Sequence, residues 1–126
     1  KMEIYKKIAS IGTQYELDRV YTELLDRFGP IPEEVQSLLS LAEIRIICRN
    51  LSISSLKERA GRVFVEFSKV SKVSVERLLR MMKESAGRVK LDPRQPNILI
   101  LETGKIGLKE KSEYIREKLD QLSIES

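Results

Sequence analysis

The sequence predicts an α+β fold in which three helices precede a β-β-α-β-β-α segment with a mostly antiparallel four-stranded sheet. Apolar residues follow helical spacing up to residue 50. From residue 51 they occur in short runs of β-branched and aromatic residues, separated by glycine and proline. Because no long linker separates the two parts, we expect one domain over residues 1–126, with a helical part at 1–50 and a sheet part at 51–126.

The first two helices are predicted from a break and a capping signal. Residues 1–11 form a short amphipathic pattern, which Gly12 interrupts. Thr13 followed by Glu16 has the spacing of a capping box, so a second helix is predicted from about residue 14 to residue 28. Its apolar positions keep helical spacing and are expected to be buried together: Leu17, Val20, Tyr21, Leu24 and Phe28.

A tight connection follows the second helix. Gly29 can adopt the left-handed conformation that ends a helix, and Pro30 cannot continue one. Pro32 suits the first turn of the next helix, which is predicted to run to about Asn50. Apolar residues occupy most of the circumference of this third helix. We therefore expect it to be the central helix of the N-terminal half.

Two strands and a fourth helix are predicted next. Residues 53–58 and 62–68 have the composition of strands, and a turn at Ala60-Gly61 would pair them as an antiparallel hairpin. Ser74 is the expected N-cap of a helix that continues through Ser85. The residues expected on the buried side of that helix are Val75, Leu78, Leu79 and Met82.

The C-terminal part is predicted to add two strands and a last helix. Residues 88–91 form a short strand, and a proline-containing turn follows at residues 92–96. Residues 97–102 give the strongest strand signal, and because their hydrophobicity does not alternate, we expect a strand covered on both faces. Gly104 and Gly107 mark a loop. The final helix is expected to be lined by Leu108, Ile115, Leu119 and Leu122.

Composition argues against catalysis and against a cofactor. The chain has no histidine, so the commonest general base and metal ligand is missing. Its single cysteine, Cys48, cannot form a disulfide within the chain or a thiolate metal site. Because it lies in the most apolar helix, we expect it to be an unreactive packing residue. The segment Gly104-Lys105-Ile106-Gly107 lacks the spacing of a phosphate-binding P-loop. We therefore expect a non-catalytic domain without a cofactor.

The charge pattern gives only a weak indication of a polyanionic partner. The 23 basic residues are nearly balanced by 19 acidic ones, and the bases are spread along the chain. Arg77, Arg80 and Lys83 form a basic helix surface, but Glu84 shares the face of the two arginines. We therefore do not expect direct nucleic-acid binding. The chain has neither an apolar run of membrane-spanning length nor a signal-peptide pattern, which predicts a cytoplasmic protein without a membrane partner.

One strand partly matches the aromatic motif of RNA-recognition sheets. The match is Gly61-Arg62-Val63-Phe64-Val65-Glu66-Phe67, but that motif needs two aromatic residues on one exposed face. The first of these positions is Arg62, which leaves Phe64 alone. We therefore expect Phe64 and Phe67 to belong to the core.

The polar face of the second helix carries the candidate site. Glu23, Asp26 and Arg27 have the spacing i, i+3 and i+4, so they form one compact cluster on the side opposite the apolar stripe. An ordinary solvated helix face is the simplest interpretation. Asp26 argues against it, because a carboxylate in the last turn faces the negative end of the helix dipole at a cost of roughly 0.3–1 kcal/mol.

Several short stretches occur in an order typical of one known family. They are Lys6-Lys7-Ile8-Ala9, Thr13-x-x-Glu16-Leu17, Glu23-Leu24-Leu25-Asp26-Arg27-Phe28-Gly29-Pro30-x-Pro32, Leu38-Leu39 and Leu51-x-Ile53, with weaker matches at Phe64-Val65-Glu66-Phe67 and Leu91-Asp92. Together they resemble the C-terminal domain of bacterial transcription-repair coupling factors, and the likeness covers most of the chain.

The resemblance implies a regulatory role within a larger protein. In that family the parent is an ATP-dependent DNA translocase that displaces stalled RNA polymerase and recruits nucleotide-excision repair. The positions of Glu23, Asp26 and Arg27 match a polar lock that holds the domain on a UvrB-like N-terminal module of the same polypeptide. In this position the domain masks the surface that binds UvrA. The implied partners are therefore the UvrB-like module and, indirectly, UvrA and RNA polymerase.

Two other functions stay open from the sequence. A nucleic-acid-binding domain could use the dispersed basic residues, and its binding would weaken steeply with salt. A small enzyme could use carboxylates with lysine or arginine, and it would need a concave pocket with convergent, perturbed ionisable groups.

Overall fold

The computed structural model describes residues 2–124 and divides into two compact units, one up to Ile46 and the other from Ile47 onward. The helices are α1 (Met2–Ala9), α2 (Gln14–Phe28), α3 (Glu33–Asn50), α4 (Val75–Glu84) and α5 (Leu108–Leu122). The strands are β1 (Ile53–Arg59), β2 (Arg62–Phe67), β3 (Val89–Leu91) and β4 (Ile98–Glu102). This order confirms the predicted α+β fold. The prediction of one domain over residues 1–126 stays a prediction.

The helices of the first unit surround one apolar cluster. Its buried members are Ile8, Ile11, Leu17, Leu24, Ile31, Leu39, Ala42 and Ile46. Arg45 on α3 holds the end of α1 by hydrogen bonds, because its Nη2 donates to the carbonyl oxygens of Ile8 at 3.2 Å and Ile11 at 3.1 Å. The carbonyl of Ile8 lies in the last turn of α1 and that of Ile11 just beyond it, so neither has a donor within the helix. The predicted first helix, residues 1–11, is therefore shorter, and Lys1 lies outside the described residues.

The predicted buried stripe of α2 is only partly correct. Leu17 and Leu24 are buried and Val20 is half-buried, but Tyr21 and Phe28 are 47% and 51% exposed. Tyr21 lies at the edge of the stripe, about 60° around the helix from Leu24, and Phe28 is the last helical residue. The small aliphatic core covers only the middle of the stripe.

The third helix is less completely buried than its composition predicts. Leu39, Ala42, Ile44 and Ile46 are buried, whereas Leu41 is exposed. Pro32 lies just before the helix, and its carbonyl oxygen accepts from the backbone N–H groups of residues 35 and 36. A predominantly apolar circumference therefore still leaves one side of this helix in contact with solvent.

The sheet of the second unit is fully antiparallel, with the strand order β1-β2-β4-β3. Ala60 and Gly61 form the two-residue turn between β1 and β2, and their φ values of 53° and 76° are those of a type I′ hairpin turn. One of the two central strands, β4, has three consecutive buried residues, Leu99 to Leu101, which fits its non-alternating pattern. However, Lys57 and Lys90, in register with Ile100, are exposed, so the face of Ile100 is less covered than predicted. Phe67 is buried as predicted, but Phe64 is only half-buried.

One face of the sheet is packed against α5. Val63 and Val65 on β2 and Leu101 on β4 are almost completely buried on this face. Glu58, in register with Val63, pairs with Lys111 of α5, which places that helix on the same face. The buried residues of α5 are Ser112, Ile115, Leu119 and Leu122. Leu108 is exposed, contrary to the prediction, because it is the first residue of the helix.

The fourth helix is turned relative to its predicted orientation. Ser74 is its N-cap, as predicted, and accepts from the N–H of Arg77 at 3.2 Å. However, Met81 is its buried residue. Of the four residues predicted on the buried side, Leu78 and Met82 are half-buried, whereas Val75 and Leu79 are exposed. Arg77 contributes to this orientation, since its Nη1 donates to the carbonyl of Ser123 at 2.7 Å. A stripe of apolar residues therefore does not decide by itself which side of this helix faces the protein.

None of the helices within residues 2–124 combines the length and the hydropathy that a membrane span needs.

Candidate interaction site on the second helix

The ends of α2 are defined by side-chain and glycine caps. The Thr13 hydroxyl accepts from the N–H of Glu16 at 3.1 Å, and Glu16 Oε1 accepts from the N–H of Gly12 at 3.0 Å. This is the predicted capping box. At the other end, Gly29 has φ = 71° and donates its N–H to the carbonyl of Leu25 at 2.9 Å. These caps give the polar face between them a fixed length and direction.

Glu23 is the centre of the polar cluster. Its Oε2 accepts from Lys7 Nζ at 2.5 Å and lies 3.5 Å from Arg27 Nη1. The hydrogen bond from Lys7 lowers the pKa of the Glu23 carboxyl below its usual range, with a smaller contribution from Arg27. Because the Glu23 side chain is still 39% exposed, this pairing does not remove it from solvent.

Asp26 and Arg27 complete the cluster on the exposed side of α2. Both are exposed, and within residues 2–124 Asp26 has no ion-pair or hydrogen-bond partner. The guanidinium carbon of Arg27 lies 5.2 Å from the centroid of the Phe28 ring. An arginine in this position keeps most of its donors available while its plane rests on an aromatic side chain.

Lys7 is the member of this site that sequence reasoning missed. It belongs to α1, and only the folded helical pair brings its Nζ to Glu23, sixteen residues further along the chain. The available signal was the Lys6-Lys7 pair in the last turn of α1, where cations are favourable. On α1 and α2 together, the site therefore consists of two cations, Lys7 and Arg27, and two carboxylates, Glu23 and Asp26.

An apolar groove adjoins the cluster. It encloses about 200 Å³, and Phe28 is shared between the groove and the surface around Glu23. The residues that line it are Ile4, Tyr5, Leu24, Phe28, Pro30, Ile31, Pro32, Glu34 and Val35. The exposed ring of Phe28 therefore joins a polar and an apolar surface on the first unit.

The other groups that could be reactive lie on other elements, where burial or ion pairing accounts for their properties. Burial raises the pKa of the Cys48 thiol to about 11, which makes it a poor nucleophile at neutral pH. Glu102 on β4 has a lowered pKa because Lys90 and Arg62 hydrogen-bond to it. Arg80 on α4 pairs with Glu76 at 2.9 Å. Within residues 2–124, no three metal-ligating side chains come together.

Comparison with known proteins identifies the family. A family model described as the TRCF domain matches residues 1–78. A transcription-repair-coupling factor from Borreliella burgdorferi is 34% identical over 122 residues, which are 97% of this chain and 11% of that protein. The chain therefore belongs to the family of transcription-repair-coupling factors. This confirms the resemblance that its ordered motifs indicate.

Further matches agree with this family. The Escherichia coli transcription-repair-coupling factor is 30% identical over 92 residues, covering 73% of this chain and 8% of that protein. The chain thus spans about a tenth of the length of the curated relatives it matches. A crystal structure of the C-terminal domain of a transcription-repair coupling factor has a similar fold, with a TM-score of 0.71 at 20% identity. The similarity covers all of this chain and 82% of that one.

The Lys7–Glu23 pair should make the stability of the chain depend on pH. The depressed pKa of Glu23 means that its contribution is present above the pH at which an unfolded glutamate titrates, about 4, and is lost as the pH falls through the lower folded value. Lys7→Gln should therefore reduce the urea midpoint at pH 7 and have a progressively smaller effect as the pH falls below about 4. Lys6→Gln, which removes a neighbouring exposed cation, is the control. A difference between Lys7→Gln and wild type that does not change with pH would contradict this role of the pair.

Proposed function

We propose that this chain is a non-catalytic regulatory domain of a transcription-repair coupling factor and docks through Glu23, Asp26 and Arg27. The partner would be the UvrB-like N-terminal module of the same cytoplasmic polypeptide, whose UvrA-binding surface the docked domain masks. Displacement of stalled RNA polymerase and recruitment of repair would be activities of the whole parent. The observation that carries the proposal is a compact, exposed charge cluster with an unpaired carboxylate at its end.

The energetics of the cluster support a role outside its own unit. Exposed ion pairs such as Glu23–Arg27 contribute little to the stability of the fold. Asp26 lies in the last turn of α2, where its charge is unfavourable for the helix, and no cation within residues 2–124 compensates it. A complementary arginine or lysine from another surface would satisfy both Asp26 and the free side of Glu23.

The surroundings of the cluster also have the composition of an interface. Phe28, Tyr21 and Leu25 are exposed on the same helix, and arginine and aromatic residues are enriched in the buried centres of protein interfaces. Charge pairs across such a surface give direction and specificity at modest net affinity. These properties suit a contact that must be released when the parent protein is activated.

The proposal is tested by supplying this chain in trans to a parent polypeptide truncated before it. We expect binding by isothermal titration calorimetry and roughly ten-fold weaker binding when Glu23, Asp26 and Arg27 are all alanine. The matched control is Glu76→Ala with Arg80→Ala, which removes another exposed i, i+4 ion pair on α4. Equal affinity of the triple variant and the control would contradict docking through α2.

A further inference from the structure

The face of the sheet opposite α5 has its own pattern of charges and apolar side chains. Register places Lys57, Phe64, Ile100 and Lys90 in one line across β1, β2, β4 and β3. Paired residues in an antiparallel sheet point to the same face, so these four side chains share one surface. Both lysines are exposed, Phe64 is half-buried and Ile100 is buried between its neighbours.

A second line of charged residues runs beside the first. It consists of Arg59, Arg62 and Glu102 in register on β1, β2 and β4. Glu102 pairs with Arg62 at 2.9 Å and with Lys90 at 3.1 Å. Lys57 and Arg59 make no ion pair within residues 2–124, and Glu66 is the other carboxylate on this face. The face therefore carries four cations and two carboxylates, with its unpaired cations on the edge strand β1.

Phe64 is positioned as a stacking platform among these cations. The guanidinium carbon of Arg59 lies 5.8 Å from the centroid of its ring. Nucleic-acid bases stack on aromatic rings and on arginine planes, and the flanking lysines can contact phosphates. Neighbouring strands are about 4.8 Å apart, so the line from Lys57 to Lys90 spans about 14 Å. That span fits two or three unpaired nucleotides, as on other nucleic-acid-binding sheets.

From this arrangement we propose that the open sheet face binds single-stranded DNA. The sequence motif alone argued against this function, because Phe64 has no aromatic partner on its own face of the strand. Register adds Arg59 as a second planar group and places a lysine at each end of the line. A duplex hides the faces of its bases in the stack, whereas a single strand can place a base on Phe64. The choice of DNA over RNA rests on the proposed function in a repair factor.

The test is fluorescence anisotropy of a labelled pyrimidine DNA of about ten nucleotides, titrated with the full chain at several salt concentrations. Lys57→Gln with Lys90→Gln should make the negative slope of log K against log salt shallower by about 1.4. This is the value for two lost phosphate contacts on a single strand. Lys83→Gln with Lys109→Gln, on α4 and α5, is the control and should leave the slope unchanged.

The aromatic contribution is tested separately. Phe64→Leu should weaken binding roughly five-fold or more, whereas Phe28→Leu, at an exposed phenylalanine of the first unit, should have no effect. If Phe64→Leu fails to fold, the salt dependence of the lysine variants still tests the proposal. Absence of binding at low salt, an equal loss with the control lysines, or tighter binding of a duplex or an acidic peptide would overturn the proposal. Tighter binding of the same sequence as RNA would overturn the choice of DNA.

Failure of this inference and failure of the docking proposal can be told apart. The sheet face belongs to the second unit, and the cluster of Glu23, Asp26 and Arg27 belongs to the first. The Lys57→Gln, Lys90→Gln variant should bind the truncated parent as wild type does. The triple alanine variant should bind DNA as wild type does. Each readout therefore reports on one surface.

Discussion

Replacing Leu119 with alanine is expected to lower the free energy of unfolding of the chain by roughly 2–5 kcal/mol. Leu119 on α5 has no exposed surface, and Val65 and Leu101 of the central strands are equally inaccessible. Removing three carbon atoms there leaves a cavity that this close-packed layer cannot fill. Equilibrium urea denaturation followed by circular dichroism measures the change.

Leu108→Ala is the matched control for this prediction. The residue is also a leucine of α5, but it is 55% exposed, so the same truncation should change the free energy of unfolding by about 0.5 kcal/mol or less. Similar losses at Leu108 and Leu119 would mean that α5 is not packed on the sheet as described. Because we predict one domain, a single cooperative transition is expected for each variant.

In the full-length parent, alanine at Glu23, Asp26 and Arg27 is expected to increase UvrA binding about five-fold or more. If the docked domain masks the UvrA-binding surface, weakening the docking raises the fraction of molecules in which that surface is free. Surface plasmon resonance with immobilised UvrA would measure the increase. The control is the same parent with Glu76→Ala and Arg80→Ala, which should bind UvrA as wild type does.

The triple variant must also be examined as an isolated chain. Asp26 and Arg27 are exposed and Glu23 is partly exposed, so the free energy of unfolding should change little. Unfolding of the isolated triple variant would show that the cluster is structural. A stable variant that leaves UvrA binding unchanged in the parent would instead show that this cluster does not control masking.

Local patterns predicted the elements of the fold because each pattern reports on its own segment. The Thr13–Glu16 capping box and Gly29 define α2 at the predicted bounds, and the non-alternating run at residues 98–102 is the central strand. Caps, turns and strand composition depend on residues within a few positions, so they can be recognised without the rest of the fold.

The orientations of the helices were less predictable. On α4 the apolar stripe predicts burial of Val75 and Leu79, yet Met81 faces inward and Arg77 bonds to the Ser123 carbonyl. On α2, Phe28 has the right spacing but projects into solvent beside Arg27. Helical spacing identifies an apolar side, whereas the neighbouring elements decide how much of it is covered.

The candidate sites show the same limit over longer distances. The spacing of Glu23, Asp26 and Arg27 is visible in the sequence, but the Lys7 contact exists only because α1 folds back along α2. The line from Lys57 to Lys90 likewise depends on β4 lying between β2 and β3. Strand order and register bring together residues from distant segments, and no local pattern encodes them.

The most direct test of the docking surface is an NMR titration of the isotope-labelled chain with the unlabelled truncated parent. The account predicts that backbone amide signals of α2 and the end of α1, around Glu23, Asp26 and Lys7, shift or broaden first. Signals of the sheet should stay unchanged. Perturbation confined to residues of the second unit, with the α2 signals unaffected at saturation, would contradict the account.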